Sequence, residues 1–305
     1  MTASLSRVAR VARVVIVTRR SEYEELIARH ATRGQAAFFL EQRDQCIDEI
    51  EMWHRSLYTA LDHVTKVIPS AWRRARVERA DLDRFVFEPD DIVIALGQDG
   101  LVANLAKYLH GQPVIGLNPM PDRYDGVLVR FTPDVAGELL SMAAGDSPSV
   151  DSLTMVQASL DDGQKLLALN EMFIGHQSHQ SARYVVGIGN HREHQSSSGL
   201  IVATGTGGTG WARSIHLGCA SSLELPRPTD DALAFFVREP FPSRSTDTGI
   251  REGRIAAGDT LEIVSEMNSG GVVFGDGIEG DRLEFAWGRV ARIALADFRL
   301  NLLAA

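Results

Sequence analysis

Three short runs in the first 120 residues consist almost wholly of apolar, largely β-branched side chains: VARVVIVT at 11–18, DIVIAL at 91–96 and PVIGL at 113–117. None alternates apolar with polar residues, so a strand built from any of them has no wettable face and must be covered on both sides. Stretches with helical spacing lie between them. An acid-bearing segment from Ser21 keeps that spacing through Ile27 and beyond. Ile47, Ile50, Trp53, Leu57, Leu61 and Val64 recur every three or four residues, which predicts one long amphipathic helix over 40–67, closed by Pro69. A further helix is expected over 101–109. Alternation of this kind gives an α/β N-terminal domain with a parallel sheet, whose ligands collect at the carboxyl ends of the strands.

Near Gly145 the texture changes. The loop AAGDSPSVDS is followed by short segments bounded by Gly, Asn or Asp: 153–160, 165–174, 183–188, 199–203, 260–265, 272–274 and 282–287. The turn at Asp162-Gly163 marks a hairpin between the first two of these. The expected organisation is therefore an α/β domain over 1–145 and a mainly β C-terminal domain over 146–290. The closing segment 291–305 is free to pack back on the first domain.

Charge and composition remove several function classes. Asp plus Glu outnumber Lys plus Arg by 40 to 31, a net charge of −9 that argues against a nucleic-acid scaffold. Only Lys66, Lys107 and Lys165 are lysines and none follows a glycine, so no Walker phosphate loop exists. Phosphates would have to be met by main-chain N–H groups, arginines and Mg²⁺. Two cysteines, Cys46 and Cys219, are too few for a disulfide framework and point to a reducing compartment. No apolar stretch is long enough to span a membrane. The Arg-rich, acid-free residues 1–13 run straight into an apolar strand and are read as a solvated arm rather than a targeting leader.

Gly97-Gln98-Asp99-Gly100 ends a buried strand and opens a helix, which aims main-chain N–H groups at an anion and presents one carboxylate able to accept a proton from a hydroxyl. A turn whose Asp merely caps the helix is the plainer alternative. The segment SSSGLIVATGTGGTGWARS at 196–214 places small residues and hydroxyls after a β-branched run, where a phosphate can approach the main chain. Gly205, Gly207 and Gly210 also satisfy the GxGxxG spacing with Glu224 downstream, although the βα units that a dinucleotide fold requires do not follow. Asn170 and Glu171 sit in the middle of the apolar run 165–174, where at least one must find a polar partner or face a ligand. His176, His179, His191 and His194 form two i, i+3 pairs in expected hairpin turns and are read as solvated rather than as metal ligands. Trp53, Phe235 and Phe236 are read as core.

Taken in order, these segments resemble the NAD kinase family. GQDG at 97–100 matches the family's GGDG loop, LALNEMFIG its Asn-Glu strand, and TGTGGTGW at 204–211 its TPTGSTAY segment. VIGLNPMPDRYDGVL and SSGL followed by TGTG resemble the mitochondrial-type branch. The likeness runs from about residue 91 to 290 and implies an α/β domain and a β domain with the site in the cleft between them. It implies transfer of the γ-phosphoryl of ATP, with Mg²⁺, to the adenosine ribose 2′-hydroxyl of NAD. On that basis Asp99 is the general base, and Gly97, Gly100, Asn118, Arg123, Gly205, Thr206 and Gly207 meet ATP or its phosphates. Asn170, Glu171, Thr209, Trp211 and Ser214 bind the dinucleotide, with Trp211 standing for the family's Tyr.

The departures are Gln98 for a glycine, Leu101 for a threonine, Gly208 for a serine and Gly210 for an alanine, which leave fewer hydroxyl donors. They keep a non-catalytic nucleotide binder of the same fold, and a kinase for another hydroxyl acceptor, as alternatives. ATP and polyphosphate remain open as donor, and NAD and NADH as acceptor. A cytoplasmic homodimer without nucleic-acid or membrane partners completes the expectation.

Overall fold

The computed structural model describes residues 12–304. The arm over 1–13 lies almost wholly outside them. Two compact units divide the described chain: one holds the residues up to Asp151 together with those from Asn301, the other holds Ser152–Leu300.

The first unit is built on a six-stranded sheet in the order β2-β1-β3-β4-β18-β5. Its strands are β1 (Arg13–Thr18), β2 (Arg73–Glu78), β3 (Asp91–Leu96), β4 (Pro113–Leu117), β5 (Val150–Leu153) and β18 (Leu300–Leu303), and β2, β1, β3, β4 and β18 run parallel. Every residue of β3 is buried, as its unbroken apolar run demands. Its one charge, Asp91, accepts both arms of the Arg13 guanidinium at 2.7 and 2.6 Å, so the buried carboxylate is paired. Strand β2 was invisible as a strand in the basic sequence RRARVE; it is an edge strand with mostly solvated side chains.

Helices α1 (Glu22–His30), α2 (Arg33–Glu41), α3 (Ile47–Val67), α4 (Asp99–Ala106) and α5 (Ala136–Ala143) complete this unit. Ser21 caps α1 in a reciprocal box with Glu24. The expected single helix over 40–67 is corrected: Leu40 lies in the last turn of α2, and the chain turns through Asp44 at φ 53° before α3 begins. Leu40, Ile47 and Ile50 share one apolar cluster, so the spacing of apolar residues continues across a break in the helix. Ile68, extended as a residue before proline must be, ends α3.

The second unit contains two six-stranded sheets with antiparallel pairing. In chain order its strands are β6 (Val156–Leu160), β7 (Lys165–Ala168), β8 (Glu171–His176), β9 (Ala182–Ile188), β10 (His191–Ser197), β11 (Leu200–Ala203), β12 (Ala232–Val237), β13 (Glu252–Ala256), β14 (Leu261–Ser265), β15 (Gly271–Gly275), β16 (Ile278–Glu284) and β17 (Val290–Leu295). One sheet is ordered β10-β9-β14-β17-β6-β7, the other β13-β12-β11-β8-β15-β16. A core including Val156, Met172, Tyr184, Val202, Phe235 and Ile263 draws on both. Helix α6 (Trp211–Gly218) places Ala212 and Ile215 beside Ala203, Ala234 and Phe236.

Three sequence expectations change here. The segment 153–160 holds one strand, β6 over Val156–Leu160, and begins on the last residue of β5. The segment 165–174 spans two strands, β7 and β8, and they lie in different sheets, so Leu169 and Asn170 form the crossing between them rather than the middle of a strand. His191 and His194 lie on β10, not in a turn.

Candidate functional site

In the first unit the GQDG loop leaves β3 and becomes the start of α4, with Asp99 its first residue. The Asp99 carboxylate is clamped by main chain from a distant loop. Its Oδ2 accepts from the N–H of Val127 at 3.0 Å, and its Oδ1 from Leu128 at 2.8 Å and Val129 at 3.0 Å. Three donors fix the side chain's direction, while Oδ2 accepts only one of them and keeps a lone pair for another proton donor. The Gly97 N–H donates to Leu117 O at 3.0 Å, tying the loop to β4. Asn118 is buried, its Nδ2 donating to Tyr124 O at 2.8 Å and its Oδ1 accepting from Met120 N at 2.9 Å. This side chain organises the loop from within.

The same strand ends border a cavity of about 340 Å³ lined by Arg19, Arg20, Arg79, Arg123, His54, Trp53, Tyr124, Gly97, Gln98 and Gly100, with Glu22 and Glu25 among its acids. The Arg123 guanidinium lies 3.2 Å from the centroid of the Trp53 ring and 5.0 Å from that of Tyr124. Trp53 is therefore a cavity wall as well as a neighbour of the α1–α3 cluster, which corrects its reading as plain core. Arg19, Arg20 and Arg79 are the residues that sequence reasoning missed. They are scattered along the chain and gather only because β1 ends, and the turn after β2 begins, at one edge of the sheet.

In the second unit, the glycine-threonine segment follows β11 through a short 3₁₀ turn, Gly207–Thr209, into α6. A Cβ at Gly205 would lie 2.0 Å from the Arg227 carbonyl carbon, and one at Gly207 would lie 2.2 Å from Asn170 O. Both glycines are thus demanded by main-chain packing alone. Two of the loop's main-chain donors are turned inward: Thr206 N and Gly207 N donate to Thr204 Oγ1 at 3.1 and 3.3 Å. The hydroxyl of Thr206 behaves differently. It is buried and meets no hydrogen-bond partner among the described residues, a condition that calls for a ligand, a water or a compensating reason. Thr209 and Ser214 are exposed near the start of α6. The Trp211 ring stacks on Phe173 at 5.9 Å and 5°, with the Arg238 guanidinium 5.0 Å from its centroid. Because β11 pairs antiparallel with both β8 and β12, the GxGxxG spacing here is not the parallel βαβ unit of a dehydrogenase.

Asn170 and Glu171 stand at the crossing from β7 to β8, half-buried. Thr204 binds this crossing, its Oγ1 donating to Leu169 O at 2.5 Å and its N–H to Asn170 O at 2.9 Å. Burial, with the charge of Asp276 added, pushes the Glu171 carboxyl up to about 7. Asp276 is a further residue that sequence reasoning missed, because an Asp-Gly pair between two strands reads as a turn and nothing more. Asp99, Gly97, Gly100, Asn118 and Arg123 thus gather in the first unit. Asn170, Glu171, Gly205, Thr206 and Gly207 gather in the second, and Thr209, Trp211 and Ser214 follow on the same segment.

No family model matches the chain. Among curated proteins it is 28% identical over 266 residues to NAD kinase 2, mitochondrial, of Rattus norvegicus, covering 70% of this chain and 63% of that one. It is 27% identical over 144 residues to the NAD kinase of Chlorobaculum tepidum, covering 45% and 47%. The chain therefore spans about half to just under two thirds of these relatives' lengths. Among solved structures it is similar to an NAD kinase from Archaeoglobus fulgidus in complex with ATP, at TM-score 0.57 and 17% identity over 96% of this chain and 93% of that one. A yeast NADH kinase complexed with NADH gives TM-score 0.57 and 14% identity over 96% and 84%.

Proposed function

We propose, from the premise that the chain groups with the NAD kinases in sequence and in fold, that it phosphorylates the adenosine ribose 2′-hydroxyl of NAD with ATP. The observation that carries this reading is the Asp99 carboxylate, held by three main-chain N–H groups at the carboxyl end of β3 beside an arginine-lined cavity. In the reaction Asp99 takes the 2′-hydroxyl proton as that oxygen bonds to the γ-phosphorus. The bond from the γ-phosphorus to the bridging oxygen breaks, and ADP leaves. Such a transfer asks the protein mainly for positioning and charge neutralisation.

Arg19, Arg20, Arg79 and Arg123 would answer the triphosphate, beside Gly97 and Gly100. Mg²⁺, entering on the nucleotide's own phosphates, would neutralise part of their charge when bound. Among the described residues no three His, Cys, Asp or Glu gather into a metal cage. Asn170 and Glu171 would hold the adenosine half of the dinucleotide, with Thr209, Trp211 and Ser214 lining its pocket. Thr206 would offer its buried hydroxyl, next to Gly205 and Gly207. Cys46 and Cys219 are both free and exposed, which suits the reducing cytoplasm we assign to it. We assign it no membrane partner, and no helix among the described residues is long and apolar enough to cross one. A homodimer is the assembly expected of it.

Gln98, at the wall of the cavity where the family has glycine, favours a second reading, a nucleotide binder without turnover. One assay separates the two. Purified protein with ATP, Mg²⁺ and NAD should form NADP, and Asp99→Asn should lower turnover at least about a hundredfold while NAD still binds. Unchanged activity in that variant removes Asp99 as the base. Nucleotide binding without any turnover in the parent protein leaves the second reading.

A further inference from the structure

The turn between β15 and β16 places Asp276 and Gly277 at φ 53° and 69°. Two successive left-handed residues joining antiparallel strands favour Asp-Gly for conformational reasons. That accounts for a small polar residue at 276, but not for the direction of its carboxylate. Oδ2 accepts from Leu169 N at 2.9 Å; Oδ1 accepts from Asn170 N at 2.7 Å and, more weakly, from Glu171 N at 3.4 Å. The main-chain N–H of Asp276 donates in turn to Glu171 O at 2.9 Å. Leu169 and Asn170 belong to no strand, so a side chain more than a hundred positions away holds their N–H groups, as Thr204 holds their carbonyls.

The same carboxylate is the charge that acts on Glu171. Strand β11 sets Ala203 opposite Glu171, and β15 sets Gly275 opposite Met172. Neither strand contains a titratable residue.

We propose that Asp276 is a positioning residue for the Asn170–Glu171 pair, fixing their main chain through its accepted hydrogen bonds and setting its carboxylate against that of Glu171. Near neutral pH Glu171 is then divided between its neutral and ionised forms, and the neutral form donates a hydrogen bond. The pair so held offers a ligand the Asn170 amide together with a carboxyl whose donor character falls as pH rises. That this ligand is a dinucleotide rests on the function proposed above; the positioning itself does not.

Two substitutions separate hydrogen bonding from charge. Asp276→Asn keeps a carbonyl acceptor and loses the charge; Asp276→Ala loses both. In the ligand-free protein, carbon-detected NMR of the Glu171 carboxyl should show its titration moving down toward the ordinary glutamate range in Asp276→Asn. Asparagine keeps only one of the two acceptor oxygens, so in that variant hydrogen exchange should stay within a few-fold of the parent at one of the Leu169 and Asn170 amides and quicken at the other, which faces the side-chain NH2. In Asp276→Ala it should quicken about ten- to a hundredfold. Calorimetric titration with NAD from pH 5.5 to 8.5 should show an inflection that moves with the Glu171 titration and is absent in Glu171→Gln.

An unmoved Glu171 titration in Asp276→Asn overturns the proposal, and so does unchanged amide exchange in Asp276→Ala. If Asp276→Ala does not fold, the titration in Asp276→Asn decides alone. If the free-protein changes appear but NAD does not bind, the positioning stands and the dinucleotide reading falls.

Discussion

Replacing Glu171 by glutamine should change the pH dependence of the protein's stability within a defined window. Burial, then the Asp276 charge, raises the Glu171 carboxyl from its ordinary 4.5 to about 7 in the folded chain. Between those values the folded state binds a proton that the unfolded chain has released. Stability from this group is therefore complete below pH 4.5, declines as pH rises toward 7, and is gone above it. At about 1.4 kcal/mol per pH unit the upper limit is about 3.5 kcal/mol. Glu171 is only half-buried, and solvent screening reduces the expected figure to about 1–3 kcal/mol. Glutamine fills nearly the same volume and carries no charge at any pH, so the variant lacks the decline. Urea unfolding of both proteins from pH 4 to 8.5 should give a stability difference that opens in favour of Glu171→Gln between pH 4.5 and 7 and is level above. A difference that stays flat across the window, or a parent protein more stable than the variant at pH 8, would falsify the account of Glu171 as a carboxylate opposed by its surroundings.

The glycines of the two loops should respond oppositely to alanine. Gly205→Ala forces a Cβ to within 2.0 Å of main chain at Arg227 and should cost about 3 kcal/mol or more in thermal unfolding, whereas Gly100→Ala meets nothing within 4 Å in the first turn of α4 and should be neutral or stabilising by up to about 1 kcal/mol. Thr206→Val removes a buried hydroxyl that has no partner among the described residues; unfolding should show stability unchanged or higher by about 1 kcal/mol. The same substitution should weaken nucleotide binding several-fold by calorimetry, and a clear loss of stability would mean that the hydroxyl is already satisfied in the free protein.

The apolar runs of β1, β3 and β4 were legible because a strand covered on both faces leaves a sequence with no alternation. Strand β2 was not, since an edge strand carrying Arg73, Arg74 and Arg76 resembles a solvated loop; charge on an edge is also what discourages pairing with another chain. The break between α2 and α3 was hidden because Leu40 and Ile47 pack into one cluster on either side of it, and apolar spacing registers burial rather than helical continuity. The crossing at Leu169 and Asn170 was hidden for a related reason: two short apolar strands end to end read as one run whether or not they share a sheet. The candidate residues of the motifs stand out through local spacing. Arg19, Arg20 and Arg79 do not, because what unites them is the sheet edge where they meet.

The clamp on Asp99 joins two segments that the sequence presents as separate, GQDG and the PDRYDGVLV stretch after β4. Gly126 takes φ +70°, and a Cβ there would lie 2.6 Å from Val129 O; a Cβ at Gly116 would lie 2.1 Å from Leu128 O. With the internal bonds of Asn118, these two glycines let residues 127–129 approach closely enough to turn three N–H groups toward one carboxylate. The departures from the family pattern fall outside this device. Leu101 is 3% exposed, and a Cβ on Gly97 would meet its side chain at 3.3 Å. The residue at 101 thus packs beneath the loop, where a threonine would exchange apolar burial for a hydroxyl. Gln98 is exposed and its side chain does not cap α4, so it alters the cavity wall without bearing on the clamp. Gln98→Gly should therefore change nucleotide affinity while leaving the stability of the first unit within about 1 kcal/mol, glycine's entropic cost at such a position. A larger loss would show that Gln98 supports the loop and is not merely a change in the cavity wall.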